Sequence, residues 1–198
     1  MSTSPIKSRG RALRAFVRRH RTLLVFAGKM AAVYGGWFVL YDLWLAPDGR
    51  LDAWLAEGTA SLSTWLLSLG GFETFAAGRT FGLAGAPGLR VVDGCNGLSV
   101  LGLFAGFVLA YPGSVVRRML FIPLGVLVIY GVNVGRLVTL ATVQVHWPAA
   151  FGFLHSLAIT TVLYLVVFGL WMVWAHYGRA PGAVEAQAAP RGGGGRDA

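Results

Sequence analysis

The stretch MLFIPLGVLVIYGVNVGRLVTLATV, from Met119 to Val143, decides the fold of this chain. It carries one charged residue, Arg136, in an otherwise apolar run. A helix needs about 20 predominantly apolar residues to cross the hydrocarbon core of a bilayer. The stretch is long enough, and it therefore predicts a transmembrane helix.

Three further apolar runs predict three more spans, so the four spans cover about 23–45, 97–112, 119–142 and 156–176. The second is the shortest, and it needs flanking residues to reach the minimum of about 17. Of the 198 residues, 56% are hydrophobic and 13% are charged, which is not the composition of a soluble domain. The sequence predicts an all-α polytopic membrane helix bundle of about four transmembrane helices.

The formal charge of +9 is concentrated at the ends of the predicted spans. Basic residues crowd the segment 1–22, the pair Arg117 and Arg118, and the tail 178–198. By the positive-inside rule, these segments are cytoplasmic and the bundle lies in the cell's inner (cytoplasmic) membrane. We therefore interpret the charge as a topology signal that touches lipid headgroups, and we expect no nucleic-acid partner. The Ala-, Gly- and Pro-rich tail is predicted to be disordered.

The segment between the first two spans is predicted to lie outside. Leucines and two tryptophans recur with helical spacing from Leu51 to Leu69. We favour an amphipathic helix on the outer leaflet, because the alternative, a fifth span, would invert the sidedness of every later basic loop. Two β-prone runs, Thr80 to Leu83 and Leu89 to Val92, flank Ala-Gly-Ala-Pro-Gly and predict a short hairpin.

Polar residues at the ends of the spans are few, and such residues usually face a bundle interior or a cavity. The topology brings Cys95, Arg136 and His155 to one membrane face. Asn133 lies three residues before Arg136 and shares its helical face, while Asn96 follows the cysteine directly. These residues form the candidate active site.

The chemistry of these groups fits cysteine acyl transfer. Cys95 would be the nucleophile, His155 the general base and acid, and Arg136 the group that stabilises an oxyanion or binds a substrate carboxylate. Asn96 and Asn133 would support the site. The alternative is a non-enzymatic membrane scaffold, in which Gly102-x-x-x-Gly106 and Gly131-x-x-x-Gly135 make close helix contacts and the polar residues hold the bundle together.

No metal or cofactor site is predicted. Of the four histidines, the topology leaves only His146 and His155 outside with Cys95, and their spacing is not that of metal ligands. No glycine-rich phosphate loop or dinucleotide motif occurs between a strand and a helix. We therefore expect chemistry that depends on side chains alone.

The motifs Cys95-Asn96-Gly97-Leu98 and Asn133-Val134-Gly135-Arg136-Leu137, with His155 opening the last span, resemble the exosortase/archaeosortase family in a short form. The resemblance covers 91–174. It implies a membrane-embedded cysteine transpeptidase or protease whose partners are exported proteins with a C-terminal transmembrane sorting signal. It also implies that Cys95, Arg136 and His155 are catalytic, on the outer face, in a domain spanning 23–177.

Overall fold

Five helices of more than ten residues make up most of the described chain, because backbone polar groups in lipid must be satisfied within the segment that carries them. The computed structural model describes residues 16–178. We number these helices α1 (Arg21–Leu40), α2 (Arg50–Leu69), α3 (Leu98–Ala110), α4 (Val115–His146) and α5 (Ile159–Tyr177).

Shorter elements connect these helices. The π-helical turn Tyr41–Leu45 and the short helix Ala46–Asp48 extend α1, while the short helix Pro148–Phe153 and the π-helical turn Leu154–Ala158 lead into α5. Three strands, β1 (Thr74–Ala77), β2 (Thr80–Leu83) and β3 (Leu89–Arg90), follow α2. A 3₁₀ turn at Asp93–Cys95 then leads to α3.

Three continuous helical segments within residues 16–178 are long and apolar enough to cross a membrane: Leu23–Asp48, Val115–His146 and Pro148–Tyr177. They contain the predicted first, third and fourth spans. The predicted second span is α3, whose 13 residues fall short of the usual minimum of about 17. The prediction of an all-α polytopic helix bundle is confirmed, while the four span boundaries stay a prediction.

Helix α1 packs on α3 through aromatic rings that lie over glycines. A Cβ added to Gly102 would lie 2.7 Å from the Trp37 ring, and one added to Gly106 would lie 3.3 Å from the Tyr34 ring. The Tyr34 hydroxyl also donates a hydrogen bond to the Leu103 carbonyl at 2.8 Å. This glycine pair therefore makes the close helix contact that small residues permit.

Helices α3, α4 and α5 enclose an aromatic core. Phe107 stacks on Trp171, and Phe121 stacks on Trp174, with ring centroids 4.7 and 5.2 Å apart. At the arginine end of the bundle, where α4 begins, Arg118 donates to the Val108 carbonyl at 3.1 Å near the C-terminus of α3. The buried members of the aromatic core are Phe104, Val108, Ile129, Leu163, Val167 and Trp174.

The opposite end of the bundle, which we call the cysteine end, has a second core. Helix α2 and the strands pack there against the last turns of α4, and we call this cluster the cap core. Its buried members are Ala56, Ala60, Leu67, Phe81, Leu83, Val91, Leu137 and Ala141, and Cys95 packs against it.

The strands form a three-stranded antiparallel sheet in the order β1-β2-β3. Strand β2 pairs with β3 in the register Phe81 to Leu89, which is the predicted hairpin. Strand β1 was not predicted. It pairs with β2 from Thr74 opposite Leu83 to Ala77 opposite Thr80. The sheet has this additional strand because the segment between α2 and β2 lies antiparallel to β2.

The predicted amphipathic helix is present as α2, with an unexpected division of its faces. Apart from Leu67, its buried residues are small or polar, while Trp54, Trp65 and Leu69 are exposed. A face of mostly small and polar residues therefore packs on the protein, and the exposed tryptophans and Leu69 can contact a membrane, as in an interfacial helix. Its position on the outer leaflet stays a prediction. The predicted disordered tail beyond Gly178 and residues 1–15 of the predicted basic segment lie outside the described residues.

Candidate active site

Cys95 lies at the junction between the sheet and α3. The 3₁₀ turn is closed by a hydrogen bond from the Cys95 backbone N–H to the Val92 carbonyl at 2.7 Å. Gly97 then adopts φ 84°, a left-handed conformation that glycine tolerates and that lets α3 begin at Leu98. The turn leaves the single thiol of the chain half-buried at the start of a helix.

Two residues of α4 contact this turn. The Arg136 guanidinium Nη2 lies 3.9 Å from the Cys95 Sγ. One helical turn earlier, the Asn133 side-chain Nδ2 donates a hydrogen bond to the Cys95 carbonyl oxygen at 2.9 Å. Helix α4 therefore holds both the backbone and the thiol of Cys95, as the spacing of three residues predicts.

Two buried polar atoms beside the thiol have no hydrogen-bond partner among the described residues: Asn133 Oδ1 and Arg136 Nε. Buried polar atoms are nearly always paired in folded proteins, so an unpaired acceptor and an unpaired donor here need an explanation. Neither of the two ion pairs found within residues 16–178 includes Arg136. Among the described residues, the site thus combines a positive charge that has no ion-pair partner with unused hydrogen-bonding capacity next to a thiol.

Asn96 is held from the other side of the turn. Its side-chain Oδ1 accepts a hydrogen bond from the Leu98 N–H at 2.9 Å, and its Nδ2 donates to the Asp52 carboxylate. The Tyr41 hydroxyl donates to the same carboxylate, at 2.9 Å from Oδ1 and 3.0 Å from Oδ2. Asn96 thus links the start of α3 to α2 and, through Asp52, to the end of α1.

His155 is placed differently from the other candidate residues. It is exposed in the π-helical turn before α5, and its ring stacks on Phe151 with centroids 5.7 Å apart. No hydrogen bond within the described part of the chain joins its ring to Cys95 or Arg136. The structure brings together Cys95, Arg136, Asn133 and Asn96, and it does not bring His155 into contact with them.

Asp52 and Tyr41 are the residues of this cluster that sequence reasoning missed. Asp52 is 2% exposed although it lies in the first turn of α2. One signal was available: Asp52, Ala56, Thr59 and Ser63 recur with helical spacing and form a small, polar stripe opposite the tryptophans. Such a stripe predicts a face that packs on protein, and an aspartate within it predicts a buried carboxylate.

The arrangement suits acyl-transfer chemistry. Within residues 16–178 no three His, Cys, Asp or Glu side chains come close enough together to hold a metal ion. The groups that do meet are a thiol, a guanidinium and two amides. The N–H groups of a guanidinium beside a thiol can stabilise an oxyanion that forms there.

Comparison with known proteins identifies the family of the chain. The family model described as transmembrane exosortase matches residues 20–183, which include α1, the cysteine turn and α4. No curated protein and no solved structure matches the chain. Membership of this family indicates a membrane protein with a role related to protein sorting. The match covers most of the chain, and the protein therefore belongs to the transmembrane exosortase family.

Proposed function

We propose that this protein is a membrane-embedded cysteine peptidase or transpeptidase that cleaves the C-terminal sorting signal of exported proteins and transfers the new C-terminus to an acceptor. The observation that carries the proposal is the 3.9 Å approach of the Arg136 guanidinium to the Cys95 thiol. A permanently charged group at this distance can bind the oxyanion that forms when the thiol attacks a carbonyl. Family membership supports the same reaction class.

The depth of the site supports an outer-face location in the cell membrane. Arg136 follows Arg117 by 19 positions along one continuous helix, α4. At about 1.5 Å per residue, this separation is close to the hydrocarbon thickness of about 30 Å. If the arginine end is cytoplasmic, as its charge favours, Cys95 lies near the opposite boundary. A peptide bond just outside a substrate's transmembrane helix would reach the thiol there.

The proposed reaction has two steps. Cys95 loses its proton to His155 and attacks the scissile carbonyl, and Arg136 stabilises the oxyanion that forms. The C–N bond then breaks, the leaving amine takes the proton from His155, and a thioester remains on Cys95. An acceptor nucleophile next attacks the thioester and gives a proton to His155, the C–S bond breaks, and His155 returns the proton to the departing Cys95 sulfur. Water as the acceptor makes the enzyme a protease, and an amine or another nucleophile makes it a transpeptidase.

In the proposed reaction, a change of conformation brings His155 to the thiol. Its π-helical turn follows directly on the short helix Pro148–Phe153, and π-helical turns are frequent at functional sites. Catalytic hydrogen bonds are often made only in the substrate complex, so an exposed imidazole is compatible with acid–base catalysis. We propose that substrate binding brings the His155 ring to the thiol.

The experiment compares exported membrane proteins in cells that carry the parent enzyme, Cys95→Ala or Arg136→Ala. Mass spectrometry of protein C-termini measures processing. We expect Cys95→Ala to accumulate uncleaved precursors and Arg136→Ala to slow processing by about 10²–10³-fold, the usual cost of losing an oxyanion donor. The mass of the new C-terminus separates the two acceptors, because hydrolysis leaves a free carboxylate and transfer adds the mass of the acceptor.

The control is Ser99→Ala, on the exposed side of α3 one turn beyond the cysteine. This change removes a hydroxyl group that is close in size to a thiol, and it alters none of the described contacts of Cys95. Processing should therefore stay at the parent level. Normal processing by Cys95→Ala would refute the assignment of the nucleophile.

A scaffold role is the alternative, and one observation favours it. A Cβ added to Gly131 or Gly135 on α4 would meet no atom within 4 Å, so this glycine pair lies on an open helix face. Small residues on such a face permit close contact with another helix. Cys95→Ser separates the two functions, because a scaffold tolerates a near-isosteric change at the thiol and a cysteine nucleophile does not.

A further inference from the structure

The Asp52 carboxylate is the best-connected buried side chain at the cysteine end, and it does not touch the thiol. It accepts hydrogen bonds from Tyr41 and Asn96, which belong to two other segments of the chain. Its position joins the end of α1, the first turn of α2 and the loop that follows Cys95. One carboxylate therefore links two adjoining segments to a loop that lies 44 positions further along the chain.

A buried carboxylate is costly unless its lone pairs are satisfied, and no ion pair within residues 16–178 includes Asp52. Its described donors are a phenol and an amide, both neutral. Replacing such a group by well-packed apolar residues is often neutral or stabilising in other proteins, so stability alone is a weak reason to keep it. A carboxylate in this place calls for a role beyond packing.

The specific effect of a carboxylate is on the orientation of Asn96. An ionised carboxylate only accepts hydrogen bonds, so the amide must turn its NH₂ group toward Asp52. That orientation directs the Asn96 Oδ1 to the Leu98 N–H, the contact that closes the turn at the start of α3. A neutral amide at position 52 would accept either orientation of Asn96 and would remove this constraint.

The loop is thus held at two neighbouring points that directly follow the Cys95 Cα. Asn133 holds the Cys95 carbonyl from α4, and Asp52 holds the next residue from α2. Beside these two attachments, the Sγ lies 3.9 Å from Arg136 Nη2. A shift of the loop by one ångström would change that distance by a quarter, and misplacement of this size can cost about 10²-fold in rate.

We infer that Asp52 is a positioning residue that, through Asn96, holds the Cys95 thiol beside the Arg136 guanidinium. The inference rests on the proposed function for its consequence in catalysis. The positioning itself is a geometric property, and thiol chemistry measures it without any substrate.

The experiment measures the rate of alkylation of Cys95 by a membrane-impermeant maleimide at fixed pH, in intact cells and in purified full-length protein. In each background we divide the alkylation rate of the protein that has Arg136 by the alkylation rate of the matching Arg136→Ala variant. We call this quotient the Arg136 ratio. In the parent, Arg136 should accelerate alkylation several-fold. In the Asp52→Asn background we expect this ratio to fall toward one, because the guanidinium no longer lies beside the thiol. Coupling between contacting residues appears as this kind of non-additivity.

Two further variants keep the test decisive if Asp52→Asn folds poorly. Asn96→Ala removes the link to the loop, and we expect the same loss of the Arg136 ratio. Tyr41→Phe leaves the Asn96 contact in place, and we expect the parent ratio. Glu57→Gln is the matched control, since this carboxylate is exposed on the same helix. A purely structural role would lower thermal stability and leave the ratio unchanged in the folded fraction.

Processing of exported proteins is measured in parallel. If the ratio falls in Asp52→Asn and processing falls by about 10–100-fold, both the positioning and its catalytic consequence are supported. If the ratio falls while Cys95→Ala processes normally, the positioning stands and the proposed function fails. An unchanged ratio in Asp52→Asn and Asn96→Ala overturns the positioning inference, whatever the processing result.

Discussion

The aromatic core and the cap core are built on different principles. The aromatic core consists of large apolar side chains from three helices, with stacked rings between them. The cap core mixes alanines of α2 with side chains from the sheet, and the buried polar residues Asp52, Asn96 and Asn133 lie beside it. Shape complementarity therefore stabilises the half of the molecule around the aromatic core, whereas hydrogen bonds orient the side chains in the half around the cap core. Cys95 belongs to the half where polar contacts determine geometry.

The largest expected effect comes from removing one buried ring in each core. Phe104 and Phe81 are both fully buried. We expect Phe104→Ala and Phe81→Ala each to lower the free energy of unfolding by about 3–5 kcal/mol, measured by denaturant titration in detergent micelles. Only Phe81→Ala should also change the alkylation rate of Cys95 in the folded fraction, because its core supports the cysteine turn. Phe168→Ala, at an exposed site on α5, is the control. If Phe104→Ala and Phe81→Ala change the alkylation rate equally, the two cores do not differ in how they support the cysteine turn.

A smaller effect is expected from adding one methyl group to the aromatic core. A Cβ on Gly125 would overlap the Phe104 ring, whereas a Cβ on Gly135 of the same helix would meet no atom within 4 Å. We expect Gly125→Ala to destabilise the protein by about 1–3 kcal/mol through overpacking, and Gly135→Ala to be neutral. Thermal unfolding of both variants measures the difference. Equal stability would show that α4 can move away from Phe104.

The smallest expected effect concerns the polar link between α1 and α3. Tyr34→Phe removes the hydroxyl that donates to the Leu103 carbonyl but keeps the ring over Gly106. We expect a loss of about 0.5–1.5 kcal/mol, typical of one intramolecular hydrogen bond. Cysteine alkylation should stay unchanged, since the contact lies away from the cysteine turn. A changed alkylation rate would show that the position of α1 affects the geometry around Cys95.

Much of the site was predictable because its pieces are local. Asn133 and Arg136 share a helical face by their spacing, and Cys95 lies directly before a helix that begins after a glycine. The predicted topology then placed these two segments at the same end of the bundle. Their contact at 3.9 Å agrees with that expectation. The strand pair β2 and β3 was predictable for the same reason, since its alternation and its turn lie in one short stretch.

The remaining contacts depend on segments that are far apart in sequence. Asp52 precedes Asn96 by 44 positions, and no local pattern of either segment specifies that they meet. His155 was expected beside the cysteine from topology alone, but the path of the π-helical turn leaves its ring exposed against Phe151. Topology determines which end of a bundle a residue reaches. It does not determine the direction in which the side chain points.

The sequence by itself determined that this chain is a membrane helix bundle, and it predicted a site at one end that consists of Cys95, Arg136, His155, Asn96 and Asn133. The bundle follows from hydrophobic length, periodicity and the distribution of charge, which are local or additive along the chain. Only the tertiary structure decided that α2 buries a face of mostly small and polar residues, that a third strand extends the hairpin, and that Asp52 holds Asn96. These features depend on the packing of distant segments, where angles and distances of a few ångströms select one set of hydrogen bonds from many.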